Sequence, residues 1–194
     1  MQEFIGKKNM RYITTVSGKH FDPVAPDKQL IDIYDIAHAL SNICRANGHF
    51  SQFYSVAQHS IACAKEAQAR GCSKAVILGC LLHDGSEAYL SDVTRPIKAE
   101  LPHYLEIEER LQNMIWVHFI GRELNEEERN LISEIDDEML SMEFHQLMPE
   151  DINTDYQKLI RPVECTFLPP DQIRSEFIDL ASGGMPDPLV DARL

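Results

Sequence analysis

The stretch of this 194-residue chain that most constrains its fold is an apolar run ending abruptly in charge. Ala75, Val76, Ile77, Leu78, Cys80, Leu81 and Leu82 are hydrophobic on every side of a helix, the pattern of a helix sunk into a core. His83, Asp84 and Glu87 follow at once. At helical pitch Glu87 lies one turn from both His83 and Asp84, so all three can point into one cleft. Ionisable groups at the end of a buried helix cost too much to leave unpaired. A metal ion would satisfy an adjacent imidazole and carboxylate, which directs the search to further ligands.

The rest of the chain is also patterned for helices, and the fold class expected is all-α, with one small β-hairpin. Residues 11–24 carry β-branched and aromatic residues around Ser17-Gly18, the mark of a two-stranded ribbon that Pro23 ends. Ile33, Ile36, Ala37, Leu40, Ile43 and Cys44 form one helical stripe with a stop at Asn47-Gly48. His38 lies beside that stripe and reads as a hydrogen-bonded core or interface histidine. Ser55 is the N-cap of a second helix ending near Arg70 and Gly71. The third helix is expected from Ser73 to about Leu90 and contains the opening stretch. A polar loop follows from Ser91 to Lys98. The next helix runs from about His103 to Ile120, burying Leu105, Leu111, Ile115, Trp116 and Phe119. Asn125 caps a long helix to about Leu147, and Glu126, Glu127 and Glu128 suit its positive end. After Pro149 the pattern weakens until Pro169-Pro170-Asp171 opens a last helix to about Leu180. One domain is therefore expected over residues 11–181, with an extension at 1–10 and a tail at 182–194.

Charge narrows the partners. A formal net charge of −13 opposes broad attraction to nucleic-acid polymers, whose binding rests on many Lys and Arg contacts to phosphates. A small anionic ligand fits only where local cations override the global field. The five cysteines are odd in number and lack C-x-x-C spacing. Cys44, Cys63 and Cys80 read as small core residues. Residues 1–10 hold no apolar stretch of a secretory signal, and no run approaches the length of a membrane span. A soluble cytoplasmic chain, with no membrane partner, is expected.

Two further segments can complete a metal site. Val56, His59 and Cys63 recur at helical spacing, so His59 looks inward. Alone it reads as a core histidine. In the long helix Leu131, Ile132, Ile135, Met139 and Leu140 form the apolar stripe, and at about 100° per residue Asp136 falls within it while Asp137 points towards the acidic face. An aspartate facing a core needs a partner. His59, His83, Asp84 and Asp136 together would offer two imidazoles and two carboxylates. That donor set suits one divalent transition metal, whether Zn, Mn, Co, Fe or Ni. Such a metal lowers the pKa of its water and supplies hydroxide near neutral pH.

His59, His83-Asp84 and a distant Asp136 in a helical domain resemble the HD superfamily of metal-dependent phosphohydrolases. The segments 35–45, 54–60 and 83–98 are similar to the branch holding the bacterial 5′-deoxynucleotidases and the phage-type dATP triphosphohydrolases. The likeness covers roughly residues 11–147. It implies that His59, His83, Asp84 and Asp136 hold the metal, and that Glu87 and Asp92 are the acids that position water or move a proton. It further implies that Arg45 and Lys98 hold phosphate oxygens, with Pro96 and Ala46 on the substrate side. Some relatives carry a tryptophan after that arginine, where this chain has Ala46 and then Asn47.

The resemblance implies hydrolysis of a deoxynucleotide phosphate ester by metal-activated hydroxide attacking phosphorus in line. Two bonds qualify. Attack on a monophosphate releases nucleoside and phosphate; attack at the alpha phosphorus of a triphosphate releases nucleoside and intact triphosphate. Magnesium would accompany a triphosphate substrate. Relatives assemble, so a homo-oligomer is expected. The alternative is a non-catalytic nucleotide-sensing module with a structural metal, which would have little reason to keep Glu87, Asp92, Arg45 and Lys98 beside intact ligands.

Overall fold

The computed structural model describes residues 11–148, 159–161 and 163–183. The expected extension at 1–10, residues 149–158 and 162 of the weakly patterned segment, and the tail from 184 onward lie outside the described residues. What is described is mostly helical, with one two-stranded antiparallel sheet.

The hairpin pairs β1 (Ile13–Thr14) with β2 (His20–Phe21), Ile13 opposite Phe21 and Thr14 opposite His20. Gly18 turns the chain at φ +81°, a left-handed conformation that favours glycine. The tip is pinned by a buried aspartate: Ser17 donates its backbone N–H and its hydroxyl to the two carboxylate oxygens of Asp35, at 2.9 and 2.7 Å. Asp35 belongs to α1 (Ile33–Asn42), which Asp32 caps. The helix ends five residues before the expected Asn47-Gly48 stop. The chain instead pairs Cys44 with Ser55 and makes a tight turn over Arg45–Gly48. Ala46, Asn47 and Gly48 take φ of 52°, 51° and 77°, a left-handed run that helical periodicity does not reveal.

Ser55 caps α2 (Val56–Ala69) in a reciprocal capping box with Gln58. The apolar run forms α3 (Lys74–Leu81), and here the structure corrects the sequence expectation. The helix does not continue to Leu90; it stops at Leu81, and residues 82–86 form a turn before α4 (Glu87–Leu90). Side chains that replace the helical partners explain the break. The His83 ring folds back so that Nδ1–H donates to Cys80 O at 2.7 Å. Gln112 donates to Leu82 O at 2.7 Å and accepts from Ser86 N at 3.0 Å, splinting the turn on both sides. A Cβ at Gly85 would stand 3.0 Å from Leu82 O and 3.2 Å from an Ile115 methyl, so any side chain there would make the turn and its neighbour give by a few tenths of an ångström.

The polar loop contains one helical turn, α5 (Arg95–Lys98), before α6 (Pro102–Ile120) and α7 (Glu126–Leu147). Asn125 and Glu128 form a second capping box. Leu111 and Ile115 are buried as expected; Leu105 is not, being 39% exposed because it borders an open cavity. The last helix, α8 (Pro170–Ala181), packs on α1, α2 and α3, while α7 packs on α2 and α3 and α6 on α3. The core runs through α1, α2, α3 and α7, with Ile36, Leu40, Val56, Leu81, Ile135 and Met139 fully buried. Phe21 stacks on Tyr89 at 4.0 Å, tying the hairpin to the segment after His83-Asp84. Among the described residues no helix is long and apolar enough to cross a membrane.

Candidate metal centre and phosphate cleft

Three elements bring the four expected ligands to one point: α2 carries His59, the turn after α3 carries His83 and Asp84, and α7 carries Asp136. His59 Nε2 lies 3.1 Å from His83 Nε2, 2.9 Å from Asp136 Oδ1 and 4.0 Å from Asp84 Oδ2. His83 Nε2 lies 3.3 Å from Asp84 Oδ2 and 3.5 Å from Asp136 Oδ1. Ligand atoms held about 2.0–2.2 Å from a metal sit roughly 3.0–3.5 Å from their neighbours around it, so this spacing fits a shared ion. As the sequence period requires, Asp136 turns inward at 21% side-chain exposure while Asp137 stays 57% exposed.

The chemistry of the donors makes the same demand. The Nδ1 atoms of both histidines face groups that only accept, His59 towards Glu143 Oε1 at 2.8 Å and His83 towards Cys80 O at 2.7 Å. Both Nδ1 atoms therefore carry a hydrogen, and each ring turns its Nε2 towards the other ring and two carboxylates. Positive charge satisfies that convergence, either as protons on the rings or as a metal ion that the Nε2 lone pairs and carboxylates share. The same excess of negative charge sets the titrations. Burial opposes charging of His83, but Asp84 and Asp136 outweigh it and raise its pKa well above the ordinary value. Burial raises Asp84 and Asp136, yet the histidines overcome it and hold both well below the carboxylate range.

Two partners of this centre escaped sequence reading. Cys63 Sγ lies 3.6 Å from His59 Nε2, and His59, Cys63 and His83 form a group that can hold a metal ion. The i, i+4 spacing of His59 and Cys63 on α2 was the available signal. Glu143 is fully buried on α7, two turns beyond Asp136 and on the same face. Its position beside Met139 and Met142 in the core stripe was the signal there.

A cavity of about 270 Å³ opens over the centre, and every expected catalytic and substrate-side residue lines it: Arg45, Ala46, Glu87, Asp92, Pro96 and Lys98, alongside Asp84 and Asp136. Phe50, Leu140 and Phe144 form its apolar wall. Arg45 is almost completely buried; its Nη1 lies 3.1 Å from Asp84 Oδ2 and its Nε 3.5 Å from Glu143 Oε2. Lys98 Nζ lies 2.7 Å from Glu108 and 3.7 Å from Glu87 Oε1. The other Glu87 oxygen is buried without a hydrogen-bond partner among the described residues. Burial first, then the charges of Asp84 and Asp92, push the Glu87 carboxyl well up. Arg95 stands at the rim, bonded to Asp136 Oδ2 at 3.1 Å and Asp137 Oδ1 at 2.7 Å. A second cavity of about 550 Å³ lies on the α6 side, where Trp116, Asn113, Arg129 and Ser133 line it. Asp84, Lys98 and Asp136 border both cavities.

No family model matches the chain. It is similar to the uncharacterized protein YfdR of Escherichia coli (strain K12), 44% identical over 106 residues, which cover 55% of this chain and 57% of YfdR. It is also similar to an uncharacterized protein of Rhodobacter capsulatus, 36% identical over 110 residues, 54% of this chain and 56% of that protein. The matched regions thus span little more than half the length of these curated relatives.

Proposed function

We propose that this chain is a metal-dependent phosphohydrolase of the HD type that cleaves a phosphate ester of a deoxynucleotide. The observation that carries this reading is a cleft that Asp84 and Asp136 line where they converge with His59 and His83, and whose walls hold three cations, Arg45, Arg95 and Lys98, and two further acids, Glu87 and Asp92. His59, His83, Asp84 and Asp136 would hold the metal. When bound, the metal supplies Lewis-acid polarisation of a phosphoryl oxygen and acidifies a water.

The chain's own residues account for the remaining requirements. Arg45 donates from Nη1 to Asp84 and turns Nε towards the Glu143 carboxylate as an ion pair, which leaves further N–H donors for phosphate oxygens. Lys98 provides a second, movable positive charge, as a phosphoryl group gathering charge requires. Glu87 has a buried carboxylate oxygen without a partner, placed to accept a hydrogen bond from the attacking water. Asp92 lines the same cleft and can pass a proton to the leaving oxygen. Phe50, Leu140 and Phe144 keep one side of the cleft dry, which strengthens each of these interactions.

The test is product analysis with purified protein and added Mn²⁺, Co²⁺ or Zn²⁺ on matched deoxy- and ribonucleoside mono- and triphosphates. Nucleoside with phosphate from monophosphates identifies a 5′-nucleotidase. Nucleoside with intact triphosphate identifies a triphosphohydrolase. No product with any metal, with nucleotide still bound, overturns the reading in favour of a sensor.

A further inference from the structure

Among the described residues two carboxylates are completely buried, Glu66 and Glu143, and their surroundings differ in kind. Glu66 accepts from the backbone N–H groups of Ile160 and Arg161 and from Arg70 Nε, holding a chain segment in place. Glu143 touches no backbone donor among its recorded partners. Its Oε1 stands 2.8 Å from His59 Nδ1, and its Oε2 stands 3.5 Å from Arg45 Nε. That second oxygen is too far from Arg45 for a good hydrogen bond, and the buried Tyr54 phenol is a further polar group beside this carboxylate. Burying a carboxylate is costly, and core residues of similar size would fill the same space more cheaply. Of the groups it faces, His59 and Arg45 belong to the proposed site, and Tyr54 is a phenol of the surrounding core.

We propose that Glu143 is a positioning residue that couples the metal centre to the phosphate-side arginine. One oxygen holds His59 in the Nδ1–H tautomer, so that the Nε2 lone pair faces His83 and Asp136. The other oxygen steers Arg45 through Nε, leaving its outer nitrogens to Asp84 and the ligand. A carboxylate behind a ligating imidazole sets ring orientation and makes the ring a stronger donor. Here the same carboxylate also aligns a cation, so loading the centre and orienting the phosphate share one support. The arginine half of this proposal rests on the phosphohydrolase reading; the histidine half requires only that the centre binds a metal.

The test replaces Glu143 with Gln, which keeps shape and removes charge, and uses Glu66→Gln as the control for a lost buried carboxylate. Zn²⁺ and Co²⁺ affinities are measured on the full chain by competition with a chromophoric chelator, beside urea unfolding of each metal-free protein. Glu143→Gln is expected to weaken metal binding by about 10- to 100-fold. At saturating metal it should raise KM more than it lowers kcat. Glu66→Gln should lose stability and keep the metal affinity. Wild-type metal affinity in Glu143→Gln overturns the proposal, as does a loss that both variants show in proportion to destabilisation. A second measurement needs no variant: ¹⁵N-histidine spectra of the zinc-loaded wild type should place the His59 proton on Nδ1, and a proton on Nε2 overturns the assignment. Absence of any hydrolysis by wild type removes the phosphohydrolase reading, while the metal titration still decides the role of Glu143 behind His59.

Discussion

The distance between His83 and Asp136 depends on how closely α3 approaches α7, and Gly79 stands where the two helices meet. A Cβ on Gly79 would stand 2.4 Å from Ile132 Cδ1, 3.3 Å from Ile132 Cγ1 and 3.6 Å from Leu124 Cδ1. Carbon atoms in good contact sit about 3.5–4.0 Å apart, so the first of these is an overlap of more than an ångström. Overpacking of this kind costs about 1–3 kcal/mol. Alanine in a helix returns about 1 kcal/mol relative to glycine. Gly79→Ala should therefore destabilise by roughly 0–2 kcal/mol. Ile132→Val deletes the overlapping Cδ1 and alone should cost about 0.5–1.5 kcal/mol. In the double variant the new methyl occupies the space that Cδ1 vacates. Its stability should return to wild type or slightly above, giving a coupling of about 1–3 kcal/mol. Urea unfolding of the four metal-free proteins measures this cycle. Since Asp136 lies one turn beyond Ile132 on α7, Gly79→Ala should also weaken metal binding, and the double variant should restore it. Additivity within about 0.5 kcal/mol, or unchanged metal affinity in Gly79→Ala, would show that Ile132 rotates away and that the contact does not set the helix spacing.

Other perturbations separate the roles of the cleft residues. Asp136→Ala should lose metal and turnover together; metal retained with undiminished turnover refutes its assignment as a ligand. Glu87→Ala should keep the metal and lose turnover, which metal titration beside an activity assay checks. Lys98→Ala should weaken triphosphates more than monophosphates, and equal losses would argue against a phosphate-side position. Glu66→Gln should cost about 1.5–3 kcal/mol near neutral pH, the range for hydrogen bonds to a charged group. Burial raises the Glu66 pKa, but the Arg161 and Ile160 N–H groups and Arg70 outweigh it and leave it below 4.5. The stability difference between wild type and Glu66→Gln should therefore be full above about pH 4.5 and shrink as pH falls through the lowered folded value. A difference independent of pH across that window would contradict the ionised clamp.

Where periodicity alone decides structure, the sequence was readable. The caps at Ser55 and Asn125, the hairpin at Ser17-Gly18, and the inward turn of Asp136 relative to Asp137 follow from local pattern, and the structure has each. The end of α3 did not follow, because partners distant in sequence decide it. Apolar residues continue to Leu82, yet Gln112 takes the Leu82 carbonyl from 30 residues away and His83 takes that of Cys80. Arg45 was expected on the phosphate side, but the left-handed run that follows it leaves no mark in hydrophobic spacing. Cys63 and Glu143 were passed over for a related reason. A small thiol on an apolar face reads as core, and a carboxylate in a glutamate-rich helix reads as surface until its neighbours across the core are known.

The shared border of the two cavities has a consequence for access. Asp84, Lys98 and Asp136 sit in a partition, with a cleft on one side and the larger α6-side chamber on the other. A centre at the bottom of a single shaft can be influenced only through the mouth that its substrate uses. A centre set in a wall has a rear face. Side chains such as Asn113 and Ser133 reach that face without entering the cleft of Arg45 and Glu87. The α6 chamber is thus a second side from which solvent meets the carboxylates of the centre, lined by Asn113, Arg129 and Ser133, which the cleft does not share.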